Sequence, residues 1–320
     1  MFNKHRLILS VFAALLFVSG HALAGDDAKA WKDYFDVSKG GKLEDSKRIM
    51  VAGYHCGFVI QTGAYAGGRN VKVSMNMLLG GIKKEDLQEI ADSAYAAFLA
   101  QIKATGREVV SYDELRATKA YAKWDTTALE PGKIFSKQYT FAASKTYVVV
   151  SPKAIPLAFT HVSPINDRSA FGIGNAKAMW AMADEVKAIL VVPLITIDIA
   201  NFEGSGASMF TNSANLEAGQ LISTEIGRTI YNFYGPSYGY GNANLIKKPI
   251  IADGPFGVFD ESPEAYNHFD IGSALSSFDK GGVGVQVIVA DPPKFKERVL
   301  QVHALAGKYF CQVLDKYKPD

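Results

Sequence analysis

The residues best equipped for chemistry fall between positions 260 and 270: Asp260, Glu261, Glu264, His268 and Asp270. Hard carboxylate oxygens with one imidazole suit a divalent cation if a loop converges them. The plainer reading of the same run is a solvated acidic surface. The other histidines outside the first 24 residues, His55, His161 and His303, stand in no HxH or HxxxH spacing, and the two cysteines form no CxxC pair. Cys56 shares an expected strand face with Tyr54, Phe58 and Ile60, and Cys311 lies beside Phe310 and Leu314 on an expected helix. Both point to the core, either as a disulfide tying the first strand to the last helix or as two buried thiols. Neither has the electropositive or helix N-terminal setting that makes a reactive thiolate.

Nucleophile and phosphate motifs are weaker still. No GxSxG elbow occurs, and Gly204-Ser205-Gly206 reads as a flexible turn. Gly172-Ile173-Gly174 opens a helical stretch, but Asn166-Asp167-Arg168 precedes it where a dinucleotide fingerprint requires a strand. No catalytic residue and no cofactor is therefore assigned. The most unusual segment is YNFYGPSYGYGN at 231–242, where Tyr231, Phe233, Tyr234, Tyr238 and Tyr240 alternate with three glycines. Large amphipathic rings on such a backbone are the composition of recognition loops that stack on sugars or hold a protein. The competing reading is a loop whose tyrosines pack down on their own domain.

The elements that must position these groups follow from periodicity. Residues 47–62 and 71–79 alternate as two strands of a hairpin around a Gly-rich turn. Leu87, Ile90, Ala91, Ala94, Phe98 and Ile102 recur at helical spacing, with Gly106 placed to stop the helix. A short strand at 108–111 and one helix over 112–123 come next, then a loop-rich stretch over 124–145. Strands are expected at 146–150 and 154–161, and a helix at 175–187 that runs into a strand over 188–200. Pro193 within that strand predicts an edge or a bulge. Residues 207–234 read as extended and 249–282 as irregular. Val283 to Val289 alternate as a late strand, and Asp291-Pro292 caps a final helix through Val313. The order predicts one α/β domain over 25–320, a mixed and largely antiparallel sheet with helices packed on it.

Residues 1–24 have the order of a secretory leader: Lys4 and Arg6, an apolar run from Leu7 to Val18, then Ala22-Leu23-Ala24. That run is shorter than the ~20 residues a membrane-spanning helix needs. The expected destination is the periplasm or the exterior, with no membrane-spanning segment in the exported chain. Without Lys4 and Arg6, the basic side chains equal the 32 acidic ones in number. A neutral chain argues against an electrostatic nucleic-acid binder, and 48% apolar residues argue for a globular one.

The stretch LQEIADSAYAAFLAQIKATGREVVSYDEL (87–115) resembles the helix, glycine, strand and small capped helix of the curli-secretion CsgG family and of TolB amino-terminal domains. ADEVKAILVVPLITIDIANFEGSGAS (183–208) is similar to their second helix, strand and Gly-rich turn. Members of that family build envelope domains that bind and assemble rather than catalyse; for this chain the resemblance implies an α/β fold and the envelope compartment, and no functional residue transfers. The chain departs from that family in lacking the lipid-bearing cysteine, and no pore-forming hairpins are read from it. The expected function is a non-enzymatic envelope protein that binds a partner protein or cell-wall component. The alternative is a secreted hydrolase or metal-dependent enzyme built on the acidic loop at 253–270.

Overall fold

Leu87, Ile90, Ala94, Phe98 and Ile102 lie on one side of helix α1 (Lys84–Ala104) and are buried there. Their partner is α5 (Pro292–Lys316), which buries Phe295, Val299, Val302, Ala306, Phe310 and Val313 at the same spacing. The Asp291 side chain accepts from the Lys294 N–H at 3.3 Å and starts α5 as the sequence predicts. Together α1 and α5 cover one face of a 14-stranded sheet.

The computed structural model describes residues 26–67, 72–124, 135–141, 143–156, 173–205, 215–260 and 283–319. The predicted leader at 1–24 lies outside them, as do Glu261, Glu264, His268 and Asp270 of the acidic run. In chain order the first strands are β1 (Phe35–Ser38), β2 (Arg48–Val51), β3 (His55–Gly67), β4 (Lys72–Gly80) and β5 (Glu108–Val109). Helices α2 (Tyr112–Arg116) and α3 (Lys119–Ala122) follow, then strands β6 (Phe135–Phe141) and β7 (Ala143–Val150). Next come α4 (Ile173–Val186), β8 (Ile189–Ser205), β9 (Asn215–Thr224), β10 (Ile230–Gly235) and β11 (Gly239–Leu245). The last strands are β12 (Ile251–Ala252), β13 (Gly257–Asp260) and β14 (Val283–Ala290).

The main path through the sheet is β1-β11-β10-β8-β3-β4-β14-β13. The β2–β5, β2–β8, β3–β8 and β4–β14 ladders are parallel and the other described ladders antiparallel. This is the mixed, largely antiparallel α/β sheet expected from the sequence. Helices α2, α3 and α4 cover part of the second face, over Met50, Leu190, Val192 and Tyr234. No described helix is long and apolar enough to cross a membrane.

Several local expectations are corrected. The single helix expected at 112–123 is two, because the Thr118 hydroxyl accepts from the Tyr121 N–H and caps α3 separately. Glu185 of α4 also accepts from the N–H groups of Lys119 and Ala120, at 2.7 and 2.9 Å. The described part of the strand expected at 154–161 is a turn. The loop expected at 124–145 contains β6, paired with β7. Pro193 lies in the middle of the sheet rather than at an edge. It pairs with Tyr231 on one side. On the other side the β2–β3 edge is broken at Ala52–Tyr54, and the His55 imidazole hydrogen-bonds the Pro193 carbonyl. The missing N–H therefore faces a gap in the ladder, where no acceptor is lost.

Candidate functional site

The aromatic segment is a β-hairpin. Its strands β10 and β11 pair from Ile230–Asn244 to Gly235–Gly239, and β10 also pairs with β8. Strand alternation divides the rings between faces. Tyr231 and Phe233 point under α5, where Tyr231 stacks on Phe310 at 4.3 Å and 7°. Tyr234 points to the opposite face, under α4. All three are fully buried, and burial pushes the Tyr231 phenol well above its usual pKa. For these residues the packing reading holds and the recognition reading does not.

Tyr238 and Tyr240 are different. Tyr240 faces the α4 side, half-exposed, with its ring 5.4 Å from Tyr234. Its hydroxyl donates to Asn232 Oδ1 and accepts from Asn242 Nδ2, both at 3.2 Å. Burial raises its pKa, against the lowering effect of Asn242. Tyr238 is 74% exposed, the most exposed large hydrophobic residue described.

The turn that carries Tyr238 is unusual in composition. The Gly239 N–H donates to the Pro236 carbonyl at 3.1 Å, and the central residues Ser237 and Tyr238 have φ of 56° and 60°. Turns with two left-handed central residues favour Asn-Gly, because a Cβ there clashes with the following carbonyl. Ser-Tyr is held in place by α4. The Ser237 N–H donates to Asp184 Oδ1 at 2.8 Å, and Trp180 Nε1–H donates to the Gly239 carbonyl at 3.0 Å. The Trp180 ring meets Tyr238 edge-on at 5.5 Å and Tyr234 at 6.2 Å. Trp180 and Asp184 are one helical turn apart, so a single face of α4 clamps the turn. Sequence reasoning missed both, because helical spacing shows that they share a face and not what the face meets.

Among the described residues the other chemical candidates do not converge, and Glu261, Glu264, His268 and Asp270 lie outside them. Asp260 ends β13 on the surface, and no group of three His, Cys, Asp or Glu among the described residues could hold a metal. Cys56 and Cys311 are two free, buried thiols; the disulfide alternative is not formed. Burial raises both thiol pKa values, that of Cys311 to about 12, so neither is a thiolate near neutrality. An open depression of about 530 Å³ lies above the start of α5, next to Pro255, Val258 and Val289. The charged groups lining it are Asp291 and Lys294, which pair with each other at 3.7 Å.

A charged cluster that no motif foretold sits where β7, β8 and the β9–β10 connection meet. Lys145 Nζ donates to Asp198 Oδ2 at 2.6 Å and to Glu225 Oε1 at 3.0 Å. The Tyr147 hydroxyl donates to the same Glu225 oxygen at 2.8 Å, and Arg228 lies 3.5 Å from it. Burial opposes the Lys145 charge, but Asp198 and Glu225 outweigh it and raise its pKa. Burial raises Glu225, partly offset by Lys145. Two cations face two carboxylates, so the cluster is neutral as a whole and closed on itself.

No family model, curated protein or solved structure matches this chain. The site therefore rests on its own geometry.

Proposed function

We propose that the chain is a non-enzymatic binding protein of the bacterial envelope, exported by its leader, with the Pro236–Gly239 turn as its contact with a partner protein or cell-wall component. One observation carries this reading. Tyr238 is displayed at 74% exposure in a backbone conformation that disfavours its side chain, and Trp180 and Asp184 fix it there. A strained, non-glycine residue persists where the surroundings over-determine it, and such sites concentrate at recognition and catalytic positions. An aromatic anchor that is already ordered also loses little entropy on binding. The resemblance of residues 87–115 and 183–208 to envelope assembly domains supports the compartment.

The test compares capture from an envelope fraction by the wild-type protein and by Tyr238→Ala, both tagged at the C-terminus. Fractionation of the same cells reports the compartment. The expected result is a partner in the wild-type eluate that is lost with the ring. Equal recovery by both proteins removes the turn from the interface, and retention in the cytoplasm removes the envelope assignment.

A further inference from the structure

The turn does not stand alone. Alternate residues of β11 share a face, and Tyr240, Asn242 and Asn244 are half-exposed while Gly241, Ala243 and Leu245 between them are buried. Across the ladder, exposed Ser38 and Asp36 of β1 lie opposite Asn242 and Asn244. On the other side Asn232 of β10 lies opposite Asn242. The accessible rings are Tyr238, Trp180 (5.5 Å from it) and Tyr240; buried Tyr234 lies beneath, 6.2 Å from Trp180 and 5.4 Å from Tyr240, and the Tyr240 hydroxyl joins the buried Asn232 amide to the half-exposed Asn242 amide. One sheet face thus runs from an aromatic end into a polar end.

We propose that this face binds an uncharged, β-linked polysaccharide, an inference that rests on the turn being a recognition site. The chemistry is that of a pyranose. Its C–H faces are apolar and flat enough to stack on an aromatic ring, while its rim of hydroxyls needs groups that both donate and accept. Asparagine amides and a tyrosine hydroxyl do both. Equatorial β-1,4 linkages keep successive rings in one ribbon, which suits a flat sheet; α-linked chains coil away from it. The charge on the face selects against acidic sugars and nucleic acid. Asp184 stands at the aromatic end and Asp36 at the polar end, and none of the side chains named here is cationic.

The exported full-length protein is titrated with cellohexaose and chitohexaose, with maltohexaose as the α-linked contrast, and tryptophan emission is read. Co-sedimentation with insoluble cellulose and chitin is the second measurement, and it remains usable for variants at Trp180. Saturable binding of at least one β-linked hexamer is expected, with maltohexaose at least tenfold weaker. Tyr238→Ala and Asn242→Ala should each weaken binding about tenfold with urea midpoints that show both proteins folded. Wild-type protein that binds neither β-linked sugar in either measurement overturns the inference, as does binding that survives both substitutions. If envelope capture still depends on Tyr238 while no sugar binds, the polysaccharide is wrong and the recognition turn stands. If capture is also independent of Tyr238, both readings fall.

Discussion

At the scale of single residues, Tyr238 and Arg107 show opposite uses of a side chain. A left-handed L-residue costs ~1–2 kcal/mol relative to glycine before surrounding contacts are counted. Tyr238→Gly should therefore raise the free energy of urea unfolding by up to about 1 kcal/mol, after losing the Trp180 contact and some unfolded-chain stiffness. The same change should abolish capture of the partner. Ser237→Gly relieves the same strain one residue earlier and should stabilise without affecting binding. If Tyr238→Gly binds normally, the ring has no role in recognition. Arg107 is buried and spends its guanidinium on structure. Its Nη1 donates to the carbonyls of Leu43 and Ser46 at 2.9 and 3.0 Å, and its Nη2 to those of Leu314 and Tyr317 at 3.1 and 2.8 Å. One planar fork thus ties the 3-10 turn Gly40–Glu44 and the residues just after it to the end of α5, which a lysine ammonium cannot reproduce. Arg107→Lys and Arg107→Met should each cost roughly 3 kcal/mol in denaturant unfolding, since charged hydrogen bonds contribute about 1.5–3 kcal/mol and buried carbonyls are orphaned. A loss below 1 kcal/mol would show that water replaces the fork.

At the scale of elements, the crossing of α1 and α5 is tight at Gly307. A Cβ at that position would lie 2.2 Å from Gln101 Oε1 and 3.1 Å from the Phe98 ring. The Gln101 amide is the end of a flexible chain, held by its hydrogen bond to the Ala304 carbonyl at 2.9 Å, so it can swing aside for a methyl group. Gly307→Ala should thus be close to neutral, helped by helix propensity. Gly307→Leu should lose about 2–3 kcal/mol by overpacking. Adding Gln101→Ala to Gly307→Leu should restore at least 1 kcal/mol in a double-mutant cycle; additive losses would place the clash elsewhere. These two helices were legible in the sequence because only a helix gathers apolar residues at 3.6-residue spacing into one stripe, and Asp291-Pro292 marks its own start. The β3–β4 hairpin was legible through alternation. The β10–β11 hairpin was not, because glycine at every second position mimics a loop. The structure supplies the reason for Gly241: a Cβ there would fall 2.3 Å from the Phe233 ring and 2.6 Å from the Ser38 carbonyl. Phe233 lies across a glycine gap in the neighbouring strand, a packing device invisible to hydropathy. Of the candidate site, the sequence named Tyr238 and Tyr240. Trp180 and Asp184 needed the helix to be docked before their role could be seen.

At the scale of the whole molecule, two buried histidines set how stability responds to acid. Burial lowers His303 to about 3 and His55 to about 4, from an ordinary 6.5. His303 lies inside the α1–α5 side of the core, with Nδ1 3.0 Å from the Tyr54 hydroxyl. His55 lies in the middle of the sheet against Pro193. Both are neutral in the folded chain well below the pH at which they protonate in the unfolded one. Near pH 8, well above 6.5, neither state carries the proton and the full stability is present. Between pH 6.5 and about 4 the unfolded chain binds up to two more protons, so stability falls as the pH falls. Each proton contributes a slope of up to ~1.4 kcal/mol per pH unit. Glu225 and Asp315 act the other way, since burial raises both above their ordinary values. Acid protonates them in the folded state first and recovers some stability just above their ordinary values, 4.5 for Glu225 and 3.8 for Asp315. The net curve should therefore be flattest near pH 8, begin to fall through pH 7, fall most steeply near pH 6 to 5, and shallow out below. Urea midpoints at pH 7.5, 6 and 5 measure it. His303→Gln keeps a polar partner for Tyr54 and should cost stability at pH 7.5 yet halve the slope between pH 6 and 5, and His55→Gln should do the same. A variant slope equal to the wild-type slope would show that these imidazoles protonate without unfolding the core.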